Sequence, residues 1–412
     1  MISRNGQSDG PPEPEAWVLW ASELSPFALK VDALCDYAGL AHRWLPAGGS
    51  RLEGLRTLRR VRRLVAGKLP LTFPKMTGLD EFPLVPFLLG PDGENLYDSS
   101  AIGAWLDLSG RAQRPGAAPL LPDDDPALHF ALRLVDEYFD EFGLYLVHHN
   151  RWVVAARDND AGERLAADFR PILGVLAPYV GRRFAARQVR RLPYLFSVAP
   201  AEARFGDLPP QLRPPERAGF PPTHALLEER FARLLAILEA LLAERPYLFG
   251  DRFTLADASA YGQLAMNLSD PSAERWIRRD APRLREWLGR MAEADFSPSR
   301  PEGALALGTA LTPLFEEICA TFVPLMQQNA DAWHRHLEAG ETRFNEAAFD
   351  AGRSLYDGTL GGRPFRSVVK TFQVRVWGSL RAEWDALGEA DRARLESLLP
   401  PRHGLGRDRF AA

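Results

Sequence analysis

Three short stretches of this 412-residue sequence hold residue types whose order could do chemistry. Ser25-Pro26-Phe27 sets a hydroxyl directly before a proline. Serine caps helices and proline suits the first helical position, so the pair predicts a helix start. Phe27, Val31, Leu34 and Ala38 follow at helical spacing, and Gly39 is a good stop. Leu84 to Leu89, the turn Gly90-Pro91-Asp92-Gly93, and Asn95 to Ile102 predict strand, tight turn, strand, and then a helix opening on Asp98-Ser99. The Val85-Pro86 bond, at the start of a strand, can be cis, which turns the N–H and C=O of Val85 toward solvent. The unpaired N–H groups of the following helix favour a carboxylate. Backbone edge and helix end together suit a peptide-like anion.

The elements that must carry these residues are legible from pattern. Trp17 to Trp20 is a short apolar strand candidate, and His42 to Leu45 a second. With the first helix between them and the hairpin and helix after them, the order is βαβ…ββα, the thioredoxin-like arrangement. Between the halves lies a departure. Residues 51–68 are Arg-rich with Leu52, Leu55, Leu58, Val61, Leu64 and Val65 at helical spacing, and 69–83 are Pro-rich and irregular. Arg59, Arg60, Arg62 and Arg63 could cover a ligand carboxylate or form a solvated helix face. Residues 109–126 are rich in Gly, Pro and Asp, as linkers are. Beyond them the pattern turns helical, with candidate helices near 126–150, 160–190, 223–244, 254–268 and 281–294. A Pro-rich break falls at 197–222. The stretch from 304 to 412 holds three or four more helical segments.

A second specific run is Gly250-Asp251-Arg252-Phe253-Thr254-Leu255-Ala256-Asp257. Thr254 and Asp257 form a capping box. Together with Val85-Pro86 and Asp98-Ser99-Ser100-Ala101-Ile102, this run resembles the glutathione S-transferase superfamily. That family carries Val-Pro, a hairpin and Glu/Asp-Ser-x-Ala-Ile in its first domain. A Gly-x-x-x-Ser/Thr-x-Ala-Asp run lies on the central helix of its second. The resemblance covers roughly 17–107 and 126–295. It implies an α/β thioredoxin-like N-terminal domain, then an all-α helical-bundle domain with extra C-terminal helices. The organisation expected is a disordered 1–15, a glutathione-binding domain at 16–108 with an insertion at 46–81, and a linker at 109–125. An all-helical substrate domain at 126–300 and a helical extension at 301–412, packed on that domain, complete it.

What the resemblance implies for chemistry follows from the thiolate, which is the nucleophile and is favoured by a helix N-terminus and a donated hydroxyl. Ser25 lies where serine-type members hold the active hydroxyl, and Ser22 is the second candidate; the alternative for Ser25 is a plain N-cap. Phe27 follows in the same turn as part of the cofactor site. Val85 would pair through its backbone with the cysteinyl part of glutathione, and Pro86 would hold that backbone outward. Asp98 would bind the γ-glutamyl amine and Ser99 the carboxylate, unless both are simply an N-cap pair. His149, Arg151 and Trp152 end the first long helix of the second domain, where they could face a second substrate or serve structure. Adjacent histidines project in different directions, so no metal is expected. Cys35 reads as a small core residue.

The expected activity is glutathione conjugation to, or elimination from, a small electrophile, a detoxification-type transfer, with a possible homodimer. Two other readings stay open: a non-catalytic binding or interaction module, and a glutathione-dependent isomerase. Composition bounds the rest. At 46% hydrophobic and 25% charged, with net charge −4, the chain is not a general nucleic-acid binder. Two isolated cysteines give no disulfide framework. The Pro/Glu-rich start has no apolar signal core and no run reaches membrane-spanning length, so a cytoplasmic protein with no membrane partner is expected.

Overall fold

The computed structural model describes residues 16–73, 85–111, 114, 117–300 and 302–406. The expected disorder of 1–15, the end of the 46–81 insertion, Leu84 and parts of the linker fall outside those residues.

A four-stranded sheet of order β2-β1-β3-β4 organises the first part. β1 (Trp17–Trp20) runs parallel to β2 (His42–Leu45) and antiparallel to β3 (Phe87–Leu89), which pairs with β4 (Asn95–Tyr97). Strand residues alternate between faces. Leu19, Leu88 and Leu96 join the main core with α1 (Pro26–Ala38) and α3 (Ser99–Ser109). Trp20, Phe87 and Leu89 point the other way, onto Val61 and Leu64 of α2 (Arg51–Val65). The Arg-rich segment is therefore a real helix, capped by a Ser50–Glu53 box, whose apolar stripe covers the sheet.

The second part opens with one long, interrupted helix. α4 (Pro126–Tyr138) passes into a π turn (Phe139–Gly143), continues as α5 (Leu144–His149) and ends in another π turn (Asn150–Val154). Such turns widen a helix locally and recur at functional positions. The expected helix at 160–190 is a hairpin of two, α6 (Ala161–Leu173) and α7 (Ala177–Arg190). Pro171 and Gly174, the latter at φ 54°, break it. α8 (His224–Leu242), α9 (Leu255–Ala265), α10 (Pro271–Asp280) and α11 (Pro282–Ala292) follow. α9 packs on α1 because Gly262 has no side chain; a Cβ there would stand 2.5 Å from the Pro26 carbonyl oxygen.

The extension contains α12 (Thr312–Ala320), α13 (Phe322–Glu338), α14 (Glu346–Asp350), α15 (Thr371–Ala386) and α16 (Glu389–Glu396). It is not helical throughout. β5 (Leu355–Leu360) and β6 (Arg363–Val368) form a hairpin closed by Gly361-Gly362, both at positive φ. That dipeptide is a hairpin signal that the reading of 301–412 as a helical extension passed over. Phe365 and Val369 join the main core, so the extension shares one apolar interior with the rest.

Candidate functional site

The sheet end gathers the residues singled out from sequence. One position beyond the last registered pairs, Pro46, Ala21, Pro86 and Asp98 fall in a row across β2, β1, β3 and β4. The Leu45–Pro46 and Val85–Pro86 bonds in that row are both cis. Asp98 has φ 73°, a conformation costly for a residue with a side chain and one that gathers at functional positions. Its carboxylate caps α3 by accepting from Ala101 N–H at 3.1 Å.

The Ala21–Ser25 loop leaves the same row. Ser25 caps α1, and its Oγ is a long 3.4 Å from Ala28 N–H. It is half-buried, as is Phe27. Ser22 is committed elsewhere: its hydroxyl donates to Asp168 Oδ2 at 2.5 Å and accepts from Leu24 N–H. Burial raises the Asp168 carboxyl above its ordinary range. Asp168 comes from α6, so the α6–α7 hairpin clasps the loop. Arg151 holds it from the other side, its Nη1 3.5 Å from the Leu24 carbonyl oxygen.

Asp98 also meets the extension. Arg375 Nη2 of α15 lies 3.2 Å from Asp98 Oδ2. Ser99 is buried, and its hydroxyl donates at 3.4 Å to Asp140 in the π turn. There it joins a buried charge network. Lys30 Nζ bonds Ser100 Oγ at 2.7 Å, Asp136 at 2.6 Å and Asp140 at 2.7 Å. Ser259 of α9 donates to Asp136 as well. Burial alone would push the Lys30 amine down, but the two carboxylates outweigh it and hold it above its ordinary value. Burial raises Asp140 to about 6, with Asp136 and Asp98 adding repulsion.

Glu141 of the π turn and Tyr145 of α5 face the extension instead. Lys370, at the start of α15, bonds the Tyr145 hydroxyl, which also accepts from Gln373 at 2.9 Å. Burial lowers the Lys370 amine to about 7 despite Glu141 nearby.

The three candidates at the helix end separate. His149 is fully buried between Ser197 and Glu228. Arg151 is buried on Asp270, the Met266 carbonyl and Ser269. Trp152 packs with Leu24 in one small apolar cluster. It also lines a cavity of about 650 Å³, with Ala166, Ala185, Val189 and Leu212 as apolar walls and Arg170 and Arg182 among its polar groups. That volume suits a small organic ligand. Burial drives the Cys35 thiol well above its ordinary value, which keeps it inert.

Residues 152–290 match the family described as glutathione S-transferase, C-terminal domain. That part of the chain is thus similar to a glutathione S-transferase C-terminal domain. No curated protein matches this chain. Among solved structures it is similar to glutathione transferase GSTFuA3 from Phanerochaete chrysosporium, at 17% identity and TM-score 0.42, over 68% of this chain and 97% of that one. It is similar to the β-etherase LigF from Sphingobium sp. strain SYK-6, at 17% identity and TM-score 0.38, over 69% and 98%. It is also similar to rice GST1 in complex with glutathione, at 19% identity and TM-score 0.34, over 70% and 94%.

Sequence reasoning missed Asp168, Arg375, Lys30 and Lys370. One signal was available for the lysines. Lysine occurs only at 30, 68, 75 and 370 in a chain that otherwise uses arginine. Nothing local marks Asp168 or Arg375, because each reaches the site from a distant element.

Proposed function

We propose that this protein binds glutathione or a closely similar thiol peptide at the sheet end and presents its thiolate to a small electrophile. One observation carries the reading. The Ser25 hydroxyl, at the positive end of α1, is half-buried and only weakly engaged, in the loop that leaves the Pro46–Ala21–Pro86–Asp98 row. A hydroxyl so placed donates to a thiolate, and the helix end adds to the same field. Val85 and Pro86 would offer the backbone edge to the cysteinyl part. The cavity beside Trp152 is where we place the electrophile. At the γ-glutamyl end the fit is partial. Asp98 is free to take an amine only when Arg375 withdraws, and the Ser99 hydroxyl faces Asp140 rather than a ligand.

That partial fit favours a second reading, a glutathione-transferase fold used as a binding module whose cofactor site is closed from within. Calorimetric titration with glutathione, paired with turnover of a chloro-nitro aromatic, separates the two. Binding and turnover that Ser25→Ala removes support the enzyme. Binding without turnover on electrophile and isomerase panels supports the module. Absence of binding at millimolar glutathione sinks the glutathione-dependent reading.

A further inference from the structure

Seven large hydrophobic side chains are strongly exposed among the described residues, and five sit on two elements in contact. Leu52 and Leu55 lie on α2. Val175, Leu176 and Tyr179 lie at the tip of the α6–α7 hairpin, Val175 being 96% and Leu176 61% exposed. The elements meet where Gly54 lies under Ile172; a Cβ on Gly54 would stand 2.9 Å from Ile172 Cγ1. Residues 171–180, Pro-Ile-Leu-Gly-Val-Leu-Ala-Pro-Tyr-Val, carry no charge and form the tip. So much apolar surface at a protruding turn is unusual for a protein face that meets only water.

Charge around the patch is mainly positive. Arg51, Arg56, Arg59, Arg62 and Arg63 of α2 are exposed, and none forms an ion pair with a described residue; the ion pair of α2 is Glu53 with Arg43. Arg170, Arg182 and Arg183 flank the tip and are exposed too. A chain of net charge −4 has therefore concentrated arginines that form no ion pair with a described residue around its most exposed aliphatic turn.

The combination selects among occupants. A second copy of the chain, paired through this face by a two-fold axis, would set arginines against arginines. A nucleic acid would use the arginines and leave the aliphatic tip in water, since single strands stack on aromatic faces. An anionic bilayer uses both: aliphatic groups enter the headgroup–acyl boundary, tyrosine sits at the interface, and arginines meet phosphates. No helix among the described residues is long and apolar enough to cross a membrane, so the contact is with a surface. We propose that the face formed by α2 and the α6–α7 tip docks peripherally on an anionic lipid bilayer, with Val175 and Leu176 entering it.

The test is co-sedimentation of the full chain with vesicles of phosphatidylcholine plus phosphatidylserine, against phosphatidylcholine alone. Binding is expected to the anionic vesicles and to fall as salt rises. Val175→Asp with Leu176→Asp should weaken it at least tenfold. Arg56→Ala and Arg59→Ala should each weaken it by about fivefold, the factor that ~1 kcal/mol per cation near the surface implies. All four positions are solvent-facing, so near-ultraviolet circular dichroism should stay unchanged and separate lost docking from lost folding. Failure to pellet with anionic vesicles overturns the proposal. So does pelleting that these variants leave intact. A dimer that Leu176→Asp dissociates, or RNA retention that Arg56→Ala abolishes, in the absence of vesicle binding, would assign the face to that other occupant.

Discussion

Arg375 meets Asp98 at 3.2 Å across 277 residues of sequence, so the helix of the extension closes the acidic end of the sheet-end row. The carboxylate cannot serve Arg375 and a ligand amine equally. Arg375→Ala should raise glutathione affinity several-fold, and Asp98→Asn should lower it, both read by calorimetry. Equal affinity in Arg375→Ala and the wild type would mean that the extension does not gate the site.

Ser25 and Ser22 should respond differently. A hydrogen bond to a charged group is worth about 1.5–3 kcal/mol, so Ser25→Ala should raise the pKa of bound glutathione thiol by about one to two units. Ultraviolet absorbance of the thiolate against pH reads this directly. Ser22→Ala should leave that pKa alone but cost about 1–3 kcal/mol of stability, because the Asp168 carboxyl loses its donor. The reverse pattern would make Ser22 the active hydroxyl.

The network under α3 holds the two parts of the chain together. Lys30 comes from α1, Asp136 and Asp140 from the long interrupted helix, Ser259 from α9. Lys30→Met strips the buried Asp140 carboxyl of its cation, Asp136 keeping Arg133 at 3.0 Å, and should cost about 3–5 kcal/mol in urea unfolding. A loss under ~1 kcal/mol would show that water reaches the carboxylates once the amine is gone.

Stability should fall as pH rises from about 5 to 8. Burial first, with neighbouring acids, raises Asp140 to about 6, Glu137 to about 8, Glu141 to about 7 and Asp257 to about 7. Each folded carboxyl then holds a proton that its unfolded counterpart releases near its ordinary value. Such stabilisation is complete below the unfolded pKa and lost as pH passes the folded one. Two sets of groups oppose this trend: His148 and His224, lowered to about 3 by burial, cost stability that returns as pH rises to about 6.5, and Lys370, lowered to about 7, does the same above pH 7. Among the groups facing Glu141 are Asp140, Lys370 and Arg375. Glu141→Gln should flatten the urea midpoint between pH 5 and 7. A wild-type midpoint that is level or climbs over pH 5 to 8 would contradict this assignment.

Much of this was legible in the sequence because it is local. Ser25-Pro26, the Val85-Pro86 hairpin, Asp98 as a cap and the Thr254–Asp257 box each act within a few residues. Their types dictated their structure before any tertiary contact. Thr254 Oγ1 does donate to Asp257 Oδ2 at 2.6 Å. The two halves of the fold followed from period alone, down to the Arg-rich helix α2. Where several signals competed, reading failed: Gly361-Gly362 was a turn in an extension read only for its helical segments, and Pro171 with Gly174 broke what periodicity joined.

What only the tertiary structure decided is how those local pieces are spent. Whether Asp98 faces a ligand or Arg375, whether Ser22 or Ser25 keeps a hydroxyl at hand, and whether His149 and Arg151 meet substrate or protein depend on partners 48 to 277 residues away. Burial decides the protonation of Asp140, Glu141 and Lys370, and burial is a property of the packed chain. Sequence fixes which groups exist and which local turn holds them. Packing alone sets the distance and the dielectric that turn such groups into a site.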